Sequence, residues 1–286
     1  MGNVKIVTDS TADIPSTLVK KLNITVVPLN VIFGQQETYE DGVDIDAKQF
    51  YQKLESTNVI PTTSQPTPHQ FEKVYKEISV KDPDTKIISI HISSKLSGTY
   101  QSAFIACDMV KDQIEVTIID SKKASYGIGL IVVEMAKLAD NGASYEECME
   151  RLEQLLKETK IYFIVDTLNY LQKNGRIGKA SAIFGSLLKI KPILSLNEDG
   201  EVFPYDKVRG QKKALGKMYQ ILEQEFGDKL IHVAVLHANS LEFANQVSLE
   251  MESRFKIDSK IITDIGPVIG AHVGPGTIGI TATLAK

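Results

Sequence analysis

Two short stretches of this 286-residue chain are crowded with hydroxyls. One is PTTSQPTP at residues 61–68. The other is SSKLSGT at 93–99, which follows the apolar run KIISIHI and precedes a helical pattern. A helix start uses one such side chain as an N-cap, accepting from an orphan backbone N–H. Ser93, Ser94, Ser97 and Thr99 exceed that need, and Gly98 beside them lets a ligand approach the backbone closely. Hydroxyls in this arrangement can hold a carboxylate without committing to chemistry. A nucleophilic serine would need a base and the G-x-S-x-G elbow, which KLSGT lacks. The plain alternative for each loop is that its hydroxyls only cap helices.

Other residues carry weaker signals. His272 sits among glycines, either as a core histidine bonded to backbone or as a donor aimed at an anion. Arg176, flanked by Gly175 and Gly178, is either a surface ion-pairing residue or a ligand. Gly274, Gly276 and Gly279 match G-x-G-x-x-G but lead into a strand-like run at the C-terminus, so they do not read as a dinucleotide fingerprint. Asp9, Ser10 and Thr11 read as a cap that orders a loop, because no second carboxylate cluster supports a metal.

The elements that must position these residues follow a repeated grammar of strand, polar loop and helix. VKIV (4–7), KIISIHI (86–92) and EVTIID (115–120) each lead through a polar loop into a helix, which predicts a parallel sheet with helices on its faces. In such sheets ligands bind where strand ends meet helix N-termini. Past residue 159 the pattern changes. Strands KPILSL and EVFPYDKV joined by NEDG read as a hairpin, followed by helices at 211–226 and 240–254 and strands IHVAVLHA, SKIITDIG and GTIGITATLA. The expectation is an α/β protein of two domains: a parallel-sheet domain at 1–159 and a second α/β domain with a mixed or antiparallel sheet at 160–286. The charge-free stretch ASAIFGSLL reads as a buried helix or one lining an apolar tunnel.

Composition narrows the function. Hydrophobic content of 43%, charged content of 24% and a formal net charge of -4 describe a globular chain without the positive field that nucleic acid requires. Cys107 and Cys148, far apart and in helical patterns, read as buried free thiols. No signal-peptide core is visible and GIGLIVV is too short to span a bilayer, so a cytoplasmic location is expected, with transient membrane contact left open.

Taken together, VTDSTADIP, TTSQPTP, ISSKLSGTYQSA, LNYLQKNGRIGKASA, LLKIKPIL, KVRGQKKAL and GAHVGPGTIGI resemble the DegV family of bacterial fatty-acid-binding proteins, in this order and along the whole chain. IIDSKKAS departs slightly from the family's usual pattern. The resemblance implies a long-chain fatty acid such as palmitate held between the domains and presented to a fatty acid kinase, with no cofactor, metal or catalysis of the chain's own. It places carboxylate-binding roles on Thr63, Ser97, Arg176 and His272, with further contacts from Ser64, Ser94, Gly98 and Thr99. It also places kinase docking on Arg209, in a segment that carries Lys207, Lys212 and Lys213. The competing function is a serine acyl hydrolase or transferase using Ser97 with His272.

Overall fold

The computed structural model describes residues 4–57, 59–184 and 190–285. The first part of the chain runs β1 (Val4–Asp9), α1 (Ser16–Lys21), β2 (Thr25–Val27), β3 (Asn30–Phe33), β4 (Glu37–Glu40), α2 (Ala47–Ser56), β5 (Thr62–Ser64), α3 (Pro68–Lys81), β6 (Lys86–His91), α4 (Thr99–Val110), β7 (Val116–Asp120), α5 (Tyr126–Asp140) and α6 (Tyr145–Glu158). The rest runs β8 (Lys160–Ile164), α7 (Asn169–Lys173), β9 (Lys191–Leu196), β10 (Val202–Val208), α8 (Gln211–Phe226), β11 (Leu230–His237), α9 (Leu241–Arg254), β12 (Lys256–Asp264), α10 (Pro267–Val273) and β13 (Ile278–Leu284).

The α/β expectation holds. Strands β2, β1, β6 and β7 form a wholly parallel sheet in that spatial order. The six-stranded sheet, ordered β10, β9, β8, β13, β11, β12, is antiparallel except for its last pair. The NEDG turn closes β9 onto β10: the Asn197 side chain accepts from the backbone of Asp199 and Glu201, and Gly200 supplies a φ of +86°. A third, antiparallel sheet of β4, β3 and β5 lies outside the sequence-based expectations.

Apolar period decides which faces meet. Ten residues of α5 are buried, because GIGLIVV gives it no polar face and it packs on β1 and β6 on one side and on β11 and β13 on the other. One continuous core therefore runs from Val4 and Ile90 through Ile131 to Leu236 and Val268. Separate clusters fill the outer faces, under α3 and α4 on one sheet and under α8 and α9 on the other. Helix starts follow their caps: Thr67 and Gln70 form a reciprocal box at α3, as Ser144 and Glu147 do at α6.

Two expectations need correction. Cys107 is only half-buried on α4, its thiol turned to the Val116 carbonyl, whereas Cys148 is buried. Where ASAIFGSLL predicts one helix, residues Gly178–Ile183 form a 3-10 turn ended by extended Phe184, and Gly185–Leu188 lie outside the described residues.

Candidate functional site

A cavity of about 310 Å³ opens between the two large sheets. Its walls are apolar: Ile161 and Phe163 from β8, Leu236 from β11, Val268 and Ile269 from α10, and Leu29, Ile92 and Leu196 from strand ends and loops. Two hydroxyls in the wall are spent on the protein itself. Thr277 donates to the carbonyls of Val273 and Gly274, and Ser125 donates to Asp13.

The remaining polar groups in the lining include Thr63, Ser97, Arg176 and His272. They come from four separate segments. Thr63 stands on β5, which exists because it pairs with β3 (Val31 opposite Thr63). Ser97 ends the loop after β6, where its hydroxyl pairs with that of Thr99 at 2.8 Å and accepts from the Thr99 backbone. Arg176 follows α7, and its side chain donates to the carbonyls of Leu96 (2.9 Å) and Asn174 (2.8 Å), clasping the Ser97 loop. Asn174 in turn donates to the carbonyls of Pro61 and Ala271, joining the approaches to Thr63 and His272. His272 belongs to α10, whose N-cap residue Gly266 donates its backbone N–H to Asp13 at 3.0 Å.

Nε2 of His272 lies 2.8 Å from Oγ1 of Thr63, while its Nδ1 is buried with no partner. Burial, with the Arg176 guanidinium nearby, pushes the His272 pKa down to about 4, so the ring is neutral at pH 7. A proton on Nε2 leaves only a lone pair unmatched at Nδ1, which is less costly than an unmatched N–H. In that tautomer Thr63 accepts from the ring, and its own hydroxyl proton is free to point into the cavity. Arg176 is exposed, so the polar cluster lies at a mouth.

The crowded hydroxyl loop resolves residue by residue. Ser93 is buried and donates to the Gly200 carbonyl across to the β9–β10 turn. Ser94 donates to Asp120 at 2.6 Å, Thr99 is buried against Ser97, and Gly98 backs onto Gln65, where a Cβ would come within 2.3 Å of the Gln65 side chain. Of the four expected further contacts, the cavity lining therefore includes Ser64 but not Ser94, Gly98 or Thr99. Ser97 and His272 do not bond each other: the Ser97 hydroxyl faces Thr99, His272 Nε2 faces Thr63, and among the described residues no carboxylate orients Nδ1. Arg209 stands exposed at the end of β10, beside Lys212 and Lys213 in the first turn of α8. Gly178 is required by close packing, as a Cβ there would meet the Val202 carbonyl at 2.4 Å. Gly274 and Gly276, both at φ +76°, end α10 rather than open a helix.

Sequence reasoning missed one constellation. Asp9 contacts His91 Nδ1 at 2.9 Å, His91 Nε2 contacts Ser89 at 2.7 Å, and Ser89 contacts the Tyr75 hydroxyl at 3.0 Å. The order resembles a nucleophile relay, but Asp9, His91 and Ser89 are all 0% exposed, so no substrate reaches them. Its product is a pinned junction of β1, β6 and α3. A histidine ending an otherwise apolar strand run was the available signal.

Comparison with known proteins gives a consistent picture. A family model described as an uncharacterised protein, DegV family, matches residues 3–284. Protein DegV of Bacillus subtilis is 39% identical over 280 residues, covering 97% of this chain and 98% of the relative. A solved structure described as fatty acid binding of a DegV family protein from Thermus thermophilus superposes with a TM-score of 0.91 at 35% identity, covering 99% of this chain and 100% of that one. A structure of Bacillus subtilis DegV, described as a fatty acid binding protein, superposes with a TM-score of 0.88 at 36% identity over 100% of both chains.

Proposed function

This chain belongs to the DegV family, and we propose that it binds a long-chain fatty acid in the cavity between its sheets. The observation that carries this reading is the meeting of Thr63, Ser97, Arg176 and His272 at the exposed mouth of a largely apolar cavity. Burying some 15 methylenes at ~0.8 kcal/mol each offers roughly 12 kcal/mol before the costs of association and ordering. The hydroxyls and Arg176 then orient the head group. In this reading the chain divides near residue 159, with walls of the cavity drawn from both sides.

We further propose that the carboxyl end, held at the mouth, is presented to a fatty acid kinase that forms the acyl phosphate. The exposed basic start of α8 supports a docking role: its first turn holds Lys212 and Lys213, no acidic residue and no side-chain cap, with Arg209 just before it. Cations at a helix N-terminus oppose the macrodipole, and rim charges of this kind set association rate and its salt dependence. The test is Arg209→Ala assayed twice. Fatty-acid content should stay normal while kinase-coupled acyl phosphorylation falls at limiting protein, and unchanged phosphorylation at low salt removes Arg209 from the docking surface.

A further inference from the structure

Strand β13 runs inside the six-stranded sheet, paired with β8 on one side and β11 on the other. Its register sets Gly279 opposite Phe163 of β8 and opposite Leu236 of β11, and all three residues line the cavity. Two large apolar side chains therefore flank a position that has none. The other face of the strand, with Ile278, Ile280 and Ala282, packs into the outer core under α8 and α9.

A glycine in a strand interior costs backbone entropy and packing, so its presence needs a reason. It does not mark a bulge, because pairing runs without a shift through Ile278, Gly279 and Ile280 on both sides. It does not serve a left-handed backbone, since its φ is not positive. Nor does another segment's backbone press on it. The three atoms nearest to a Cβ placed there all belong to side chains: Leu236 Cδ1 at 3.0 Å, Leu236 Cβ at 3.4 Å and Phe163 Cβ at 3.5 Å. The closest is the far end of a leucine that borders open cavity, so it has room to turn aside. The strand could carry an alanine here. What a side chain at 279 would remove is cavity space directly over the backbone, and close approach by a ligand is the reason left.

We propose that Gly279 is a specificity-determining residue for the acyl chain: its missing side chain leaves a notch between Phe163 and Leu236 that admits a chain with a bend, as at a cis double bond. This rests on the cavity holding a fatty acid. A straight saturated chain has one width along its length and gains nothing from a single gap in the wall. A bent chain is locally wider and needs space at one place, and in a close-packed wall a difference of one methyl group is felt.

The test titrates delipidated native protein and Gly279→Ala with oleic acid and with stearic acid, its straight counterpart of equal length, and follows thermal unfolding of each lipid-free protein. Native protein should take up both acids. Gly279→Ala should lower the affinity for oleic relative to stearic acid by about fivefold or more, the effect of one methyl group overfilling a packed wall. Its lipid-free midpoint should stay at or above native, because alanine suits a strand better than glycine. Leu236→Phe fills the same notch from β11; it should shift the ratio in the same direction, and it stands in should Gly279→Ala fold poorly. An unchanged ratio in a folded variant, equal losses of both acids, or native protein that takes up stearic but not oleic acid would overturn the assignment. Uptake of neither acid by native protein would remove the fatty-acid reading of the cavity, and this proposal with it.

Discussion

Replacing Thr63 by valine isolates the hydroxyl that the site geometry puts at the head group. Valine keeps the β-branch, so the pairing of β5 with β3 and the shape of the wall are preserved. What is lost is the oxygen 2.8 Å from His272 Nε2 and the proton it offers to the cavity. A hydrogen bond to an ionised acceptor contributes about 1.5–3 kcal/mol. At ~1.4 kcal/mol per decade, that corresponds to about 10- to 150-fold weaker binding of a fatty acid. A primary alcohol of the same chain length accepts only a neutral bond of about 0.5–1.5 kcal/mol and should lose no more than about tenfold. Titration of delipidated native and Thr63→Val protein with the acid and with the alcohol measures both losses, and Thr63→Ser should restore most of the acid's affinity. Acid binding within twofold of native, or equal losses for acid and alcohol, would refute the placement of the carboxylate at Thr63.

Because His272 is held neutral by a pKa near 4, fatty-acid affinity should stay flat from pH 6 to 8. A fall through pH 6.5, seen in the same titration, would mean that an ordinary histidinium pairs with the ligand. Asp41 behaves oppositely to a surface carboxylate: burial, with the charge of Asp9 adding to it, raises its pKa from 3.8 to about 7. The folded state therefore holds a proton that the unfolded state releases, and stability present below pH 3.8 is lost as pH rises through 7, by up to roughly 4 kcal/mol. Asp41→Asn should flatten that loss, so the urea midpoints of native and variant should lie closest below pH 4 and move apart progressively up to pH 8, whereas parallel pH profiles would contradict the burial argument.

Much of the architecture was legible because its signals are periodic: the βα repeats, the NEDG hairpin and the helix at 211–226 all formed where apolar spacing put them. The sheet containing Thr63 was not. Its strands are three or four residues long, and PTTSQPTP, bracketed by prolines, reads as a loop until β3 is there to pair with it. The hydroxyl loop shows the same limit at finer scale. Ser93, Ser94, Ser97 and Thr99 are alike in type, and only the fold sends them to Gly200, Asp120, the cavity wall and a helix start respectively. The contact of Asp9 with His91 spans 82 residues and arises from the parallel register that sets Thr8 opposite Ile90, which no local pattern encodes. The carboxylate-binding roles of Arg176, His272, Thr63 and Ser97 came from a resemblance of motifs. Their convergence on one cavity is a property of the fold.

The central claim is that the cavity between the sheets holds an acyl chain with its carboxyl at the Thr63 and Ser97 end. Denaturing extraction of the protein purified from a bacterial host, followed by mass spectrometry of the extract, tests it most directly. The account predicts long-chain fatty acid at close to one per chain, sharply reduced in a Thr63→Val, Ser97→Ala double variant that remains folded. Extracts repeatedly free of fatty acid, with no uptake when it is added to the purified protein, would contradict it.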